Sequence, residues 1–256
     1  QRLTAIRAYL WFAADRNIAL QSTALAISKI PMCKVPNKEK TILTEEALSC
    51  IFRQPKNTKI GMRDRVIMIL LYDSAIRLAE LLSLRIQNLM LKTSNPYIRI
   101  NGKGNKERIV AITKRTEEHI IQYLEIFHPN SYRENYVFYT KIKGKIGKMS
   151  ESNVVRLISR YSYLAREKCQ DIPDKVYPHM FRRTRATNLY QNGVELALIS
   201  RILGHSSIET TRIYATPSLD MLRKAIESVE TPGQSKEKPL WKKCSEEEIA
   251  KLCGLR

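Results

Sequence analysis

Residues 178–214 read PHMFRRTRATNLYQNGVELALISRILGHSSIETTRIY, and glycine punctuates them twice. Gly193 and Gly204 stand where two successive helices would end, because only glycine takes the left-handed cap conformation without steric cost. Pro178 suits a helix start, with His179 in the first turn. The stretch therefore predicts a succession of helices. Taken alone, Glu195 to Tyr214, with Ile199, Leu203, Gly204 and the following Ser-Ser-Ile-Glu-Thr-Thr, also fits a helix-turn-helix that reads DNA without cutting it.

Working outward, Ser150 starts a long helix to about Lys168, and helices dominate from there to Val229. Before it lies a basic, glycine-containing stretch with Lys141, Lys143, Lys145 and Lys148, read as a solvated loop, and before that a strand over Asn135–Thr140. Tyr97–Asn101 and Glu107–Ile112 are β-prone runs flanking Gly102-Lys103-Gly104-Asn105, a hairpin with a glycine-rich turn. Helices are expected over Met62–Tyr72 and Leu78–Leu84, and Thr44 caps another whose first turn carries Glu45 and Glu46. The expected fold class is α+β, mostly helical with a small antiparallel sheet.

Nearer the start, Leu3, Ile6, Leu10 and Ala13 recur at helical spacing, and a second apolar stretch covers Leu20 to Ile30. Pro31 to Lys40 then reads as an exposed linker. The expected organisation is the end of a helical domain plus linker over residues 1–35, a main domain over 36–230, and a tail over 231–256. In the tail, Ser245 followed by Glu248 is a capping-box pattern for a short helix. The chain opens on Gln1, so it is read as a fragment.

The 256 residues and 43% hydrophobic content suffice for a packed core. A net charge of +19 favours a polyanionic partner, with nucleic acid first. No apolar run reaches the roughly 20 residues that span a bilayer, so no membrane role is expected. Five cysteines (Cys33, Cys50, Cys169, Cys244, Cys253) are scattered without a CxxC pair, which points to a reducing cytosol and away from a disulfide framework or a zinc ribbon. The glycine turn at 102–106 fits neither GxGxxG nor GxxxxGK[ST], so a nucleotide site is rejected. Neither a metal nor another cofactor is expected.

Breaking a phosphodiester requires a nucleophile, cations that hold the non-bridging oxygens, and an acid for the leaving oxygen. Side chains for each role are present: Arg77 in Ala75-Ile76-Arg77-Leu78-Ala79-Glu80-Leu81, Lys103 in the glycine turn, His179 and Arg182 in His-Met-Phe-Arg, His205 in Leu-Gly-His-Ser, and Tyr214. Each has an ordinary explanation when taken singly. Tyr214 is one of twelve tyrosines, and Arg77 alone would be a surface ion pair.

Their order is the stronger signal. From about residue 40 to 228 the chain resembles the tyrosine recombinase (phage integrase) family, with the contexts GKGNKER, HxxRRT, LGHSS and TTRIY in family order. The resemblance implies that Arg77 and Arg182 grip the scissile phosphate and that Lys103 protonates the departing 5′ oxygen. It implies further that His179 assists proton transfer, that His205 hydrogen-bonds a phosphate oxygen, and that Tyr214 attacks to leave a 3′-phosphotyrosine link. Glu80, one helical turn after Arg77, is placed to orient that arginine. The lysine run at 141–148 would contact DNA phosphates, and residues 1–30 would be the end of the family's DNA-clamping, core-binding domain.

The resemblance also implies recombination without ATP, double-stranded DNA with a recombination site as partner, and a tetramer on DNA in which the tail docks in trans. It implies a bacterial, cytoplasmic, nucleoid-associated protein of a mobile element, prophage or chromosome-resolution system. Two departures stand out: Ala75 occupies a position where glycine commonly precedes the first arginine, and Arg183 one where a second histidine often follows the second. A helix-turn-helix regulator, or a relative that aligns DNA without catalysis, remains the alternative.

Overall fold

Two units divide the chain, residues 1–40 and 41–256, and the computed structural model describes residues 2–31, 41–102, 107–130, 132–205 and 207–228. In the first unit α1 (Arg2–Ala14) leads through a 3-10 turn at Ile18–Leu20 to α2 (Gln21–Ser28). The Asn17 side chain caps that turn by accepting from the Ala19 N–H. Arg7 ties the two helices by donating to the carbonyls of Ile27 and Ile30.

The second unit starts at an N-cap that the sequence announces. The Thr44 hydroxyl accepts from the Ala47 N–H at 3.1 Å and opens α3 (Glu45–Arg53). Thr58 does the same for α4 (Lys59–Asp73). The run Val66–Tyr72 is apolar on nearly every side, so α4 can satisfy it only by lying inside the domain. Val66, Ile67, Met68, Leu70 and Leu71 are buried there.

A bend at 74–76 leads into α5 (Leu78–Ser83). Then β1 (Leu89–Met90), β2 (Tyr97–Asn101) and β3 (Glu107–Ala111) form an antiparallel sheet in the order β1-β2-β3, with Tyr97 opposite Ala111 and Asn101 opposite Glu107. Lys103, and with it the glycine turn expected from the sequence, lies outside the described residues. Ile98, Ile100 and Val110 face the main core.

Next comes α6 (Lys114–Phe127), capped by Thr113, a helix absent from the sequence reading. The strand expected at Asn135–Thr140 lies further on, where β4 (Tyr139–Ile142) pairs antiparallel with β5 (Lys145–Lys148). The lysine stretch read as a loop is therefore a hairpin. Its turn, Lys143-Gly144, has φ of 47° and 81°, the left-handed pair that a two-residue hairpin turn requires. Val137 and Phe138 are apolar because they pack in the core, and this mimics a strand signal.

The remainder is helical: α7 (Glu151–Arg166), α8 (Pro178–Gln191), α9 (Leu196–Leu203), α10 (Glu209–Arg212) and α11 (Leu219–Glu227). Ser150 caps α7, as read from the sequence. Both glycines close their helices in the expected left-handed conformation, Gly193 at φ 81° and Gly204 at φ 63°. In each case the glycine N–H and the following N–H return to the last turn. Gly204 bonds the Arg201 carbonyl and His205 the Ser200 carbonyl, both at 3.1 Å. The fold is thus mostly helical with a small antiparallel sheet. Among the described residues no helix is long and apolar enough to cross a membrane.

Candidate active site

The bend after α4 and the end of α9 converge on Arg182. Its helix, α8, starts cleanly because Pro178 needs no backbone donor in the first turn and Tyr177 before it is extended. Arg182 lies in the next turn, 1% exposed. Its Nη1 donates to the Ala75 carbonyl at 2.6 Å and its Nη2 to the Leu203 carbonyl at 2.7 Å. These carbonyls belong to the bend after α4 and the last turn of α9. One guanidinium therefore joins three segments distant in sequence.

Arg182 also fixes the state of His205. Its Nη2 lies 3.0 Å from His205 Nε2, while His205 Nδ1 lies 2.8 Å from the Thr211 hydroxyl. A guanidinium only donates, so Nε2 is the acceptor and the ring proton sits on Nδ1, directed at Thr211. Burial, followed by the charges of Arg182, Arg77 and His179, holds His205 down at about 4. The imidazole is neutral near pH 7. Arg182 itself is lowered to about 10 by burial and then by the Arg77 charge, which leaves it a cation at neutral pH.

Tyr214 follows α10, its N–H bonded to the Thr211 carbonyl at 2.9 Å. Its ring stacks near His205, with centroids 6.2 Å apart at 22°. The residue is 2% exposed and packs in a small cluster with Ala75, Ala186, Ile199 and Leu203. Ala75 is left-handed at φ 49°, which costs a non-glycine residue about 1 kcal/mol or more. The alanine in place of the family's glycine thus keeps the glycine-type backbone, and its methyl joins the cluster around Tyr214.

Arg77 is the N-cap residue of α5 and stands more open, its side chain 45% exposed. Glu80 accepts from its backbone N–H at 2.9 Å and from Nη1 at 3.0 Å, and Arg77 Nη2 reaches the Gly204 carbonyl at 3.4 Å. Burial by itself raises the Glu80 carboxyl. Hydrogen bonds from Arg108 and Arg77, together with the Arg108 charge, outweigh it and hold the group at about 2.

A folded value below the ordinary 4.5 means that this stabilisation is complete above that value and is lost as pH falls through about 2. Glu80→Gln is therefore expected to lower the thermal unfolding midpoint near neutral pH. The gap to the unmodified protein should narrow at about pH 3. Melting curves at the two pH values check this, and a gap independent of pH would contradict it.

The structure thus brings Arg77, Glu80, Arg182, His205 and Tyr214 together. His179, in the first turn of α8, is close enough for its charge to act on His205. Lys141, Lys143, Lys145 and Lys148 lie apart on the exposed β4–β5 hairpin, where Lys148 Nζ donates to the Ser83 hydroxyl at the end of α5 at 2.7 Å. Lys103 is outside the described residues. Arg183, the second departure from the family pattern, donates to the Thr41 carbonyl at 3.2 Å. Among the described residues no group of three or more His, Cys, Asp or Glu side chains is placed to hold a metal.

Two contributors escaped the sequence reading. Thr211 is fully buried and orients His205, and Arg108 grips Glu80 with both terminal nitrogens at 3.0 and 2.8 Å. Each lies inside a quoted motif context, but neither has a local signal. Their importance comes from contacts made by the fold.

The phage integrase family model matches residues 41–220. Tyrosine recombinase XerA of Pyrococcus horikoshii is 31% identical over 199 residues, covering 78% of this chain and 65% of that protein. Tyrosine recombinase XerD of Staphylococcus epidermidis is 29% identical over 225 residues, covering 87% of this chain and 72% of that protein. The chain thus spans just under two thirds of the length of the Pyrococcus relative. In three dimensions, a crystal structure of XerA recombinase is similar with TM-score 0.61 at 24% identity, covering 93% of this chain and 84% of that one. XerH site-specific recombinase in a post-cleavage complex with palindromic difH substrate gives TM-score 0.63 at 24% identity, covering 79% and 56%.

Proposed function

The chain belongs to the phage integrase family, and from that premise we propose that it is a site-specific DNA recombinase acting through a 3′-phosphotyrosine intermediate. The observation that carries the reading is the meeting of two guanidiniums, Arg77 and Arg182, with His205 and Tyr214 around the Gly204 turn. Three arginines (Arg77, Arg108, Arg182) against one carboxylate leave an excess of positive charge where a phosphodiester anion would sit.

In this mechanism Tyr214 Oη attacks the scissile phosphorus, and its proton passes to a base, the role given to His179. The new O–P bond forms as the bond to the 5′ oxygen breaks, and Lys103 protonates that oxygen. Arg77 and Arg182 hold the non-bridging oxygens as charge builds. Rejoining is the reverse: a 5′ hydroxyl attacks the phosphotyrosine and the tyrosine recovers a proton. The number of phosphoester bonds is unchanged throughout, so no ATP is required.

The resting geometry sets two conditions. Tyr214 must leave its apolar cluster to reach DNA. For its Nε2 to donate to a phosphate oxygen, His205 must release Arg182 and gain a proton there. The phosphate's negative charge opposes the arginine field that keeps the ring neutral, and so favours that change.

The helix-turn-helix reading fares worse, since α10 spans four residues, Glu209–Arg212, too short for a recognition helix that enters a groove. The four lysines of the β4–β5 hairpin are proposed to contact DNA phosphates. A tetramer on two duplexes is proposed as the working assembly, with residues 217–256 in contact with a neighbouring copy. Deleting residues 231–256 is expected to weaken assembly on DNA in sedimentation measurements, and unchanged tetramer formation would overturn the tail's role.

The test of the function is covalent capture. The full chain is offered a duplex selected from a random-sequence pool for binding, then nicked beside the cleavage position so that the cut end diffuses away. A protein–DNA adduct on a denaturing gel is the expected result. Binding without an adduct would favour a DNA-aligning relative that lacks catalysis.

A further inference from the structure

Arg108 stands at the second position of β3. Its two terminal nitrogens form a fork on both oxygens of Glu80. The same carboxylate accepts from the backbone and side chain of Arg77. Arg108 also lies flat against Gly204, whose carbonyl is the other group that Arg77 reaches. A Cβ at position 204 would come within 2.7–2.8 Å of the Arg108 Nε, Cδ and Cζ. One largely covered guanidinium therefore touches both of the groups that hold Arg77.

The two arginines divide the work by exposure. The Arg77 side chain is 45% exposed and Arg108 15%. Both Arg108 terminal nitrogens are committed to Glu80, and its Nε is buried with no hydrogen-bond partner. Little of Arg108 is left to meet a ligand. Arg77, by contrast, uses one nitrogen on Glu80 and a long contact to Gly204, and keeps the rest of its fork available.

We propose that Arg108 is a positioning residue that fixes Glu80 and the Gly204 turn so that Arg77 presents its guanidinium to the scissile phosphate. Without Arg108, each Glu80 oxygen loses one of its two donors and keeps only the one from Arg77, and the bidentate preference of a carboxylate for a guanidinium draws the Arg77 side chain inward onto it. Lysine at 108 would keep the charge but offer a single point donor, so it cannot rebuild the fork.

The inference rests on the recombinase reading, and its test separates the two. Single-turnover capture on the nicked duplex is measured for the unmodified chain, Arg108→Ala, Arg108→Lys, Arg77→Ala and the Arg108→Ala/Arg77→Ala double variant. Each is offered a normal scissile phosphate and an uncharged methylphosphonate in its place. Both Arg108 variants are expected to lose about 10–100-fold on the charged phosphate with DNA affinity unchanged. The double variant should be no slower than Arg77→Ala, and the Arg108 loss should shrink on the methylphosphonate, which has no charge to grip.

A merely structural role would slow both substrates equally and add to the Arg77→Ala loss. That pattern, or cleavage by Arg108→Ala at the unmodified rate, would overturn the proposal. Failure of the unmodified chain to form any adduct would overturn the recombinase reading instead. Arg108→Lys, which retains a cation at the site, keeps the test meaningful should Arg108→Ala melt at the assay temperature.

Discussion

Tyr214→Phe is expected to fold, to bind the selected duplex as tightly as the unmodified chain, and to form no covalent adduct. The loss in capture should be roughly 10,000-fold or more, the scale on which removing an enzyme's nucleophile operates. The fold should be almost untouched, because the ring supplies the burial in the cluster with Ala75, Ala186, Ile199 and Leu203. Among the described residues no hydrogen bond uses the Tyr214 hydroxyl, so deleting it leaves no buried partner stranded. Melting curves and equilibrium binding check those two points, and the denaturing gel checks the third. Adduct formation by Tyr214→Phe would remove Tyr214 from the mechanism.

Arg182→Ala should do the opposite of Tyr214→Phe to the fold and the same to the chemistry. Arg182 is 1% exposed and donates to two backbone carbonyls and to His205. Its removal orphans the carbonyls of Ala75 and Leu203, each at about 1–3 kcal/mol, and opens a cavity where its stem lay. A total of about 3–5 kcal/mol follows from losing one partner of a buried charged network. In a domain of this size that lowers the melting midpoint by roughly 6–20 °C, at about 2–4 °C per kcal/mol.

Capture should fall at least about 100–1,000-fold even at temperatures where the variant is folded, as when a transition-state donor is removed. Arg182→Lys retains charge in a smaller, single-point form, and should recover part of the stability and little of the chemistry. Equal melting midpoints for Arg182→Ala and the unmodified chain would show that the guanidinium does not hold the three segments together.

The contrast between these substitutions mirrors what could be read without coordinates. Features enforced by one residue's own backbone or side chain were legible: Thr44 and Ser150 as caps, and Gly193 and Gly204 as left-handed helix ends. The β2–β3 pairing was legible because two β-prone runs flank a short glycine-containing stretch. The catalytic candidates emerged from their order along the chain, since no one of them is distinctive.

What escaped depends on contacts between distant segments. Arg108 acquires its role across 28 residues, by meeting Glu80, and nothing in a strand pattern marks an arginine that will face a carboxylate. Thr211 is an ordinary threonine until His205 Nδ1 points at it. Val137 and Phe138 gave a strand signal through core packing, while the true hairpin was hidden under exposed lysines. The helix at Lys114–Phe127 was missed even though Thr113 caps it and Ile120, Tyr123, Leu124 and Phe127 recur at helical spacing. At Ala75 the left-handed backbone persisted without the glycine that would have announced it.

The most direct test of the account is to digest the adduct trapped on the nicked duplex and identify, by mass spectrometry, the residue that carries the nucleotide. The expected product is a peptide containing Tyr214 joined through its oxygen to a 3′ phosphate, with a free 5′ hydroxyl on the released strand. Linkage at any other residue, or a phosphate left on the 5′ side, would contradict it.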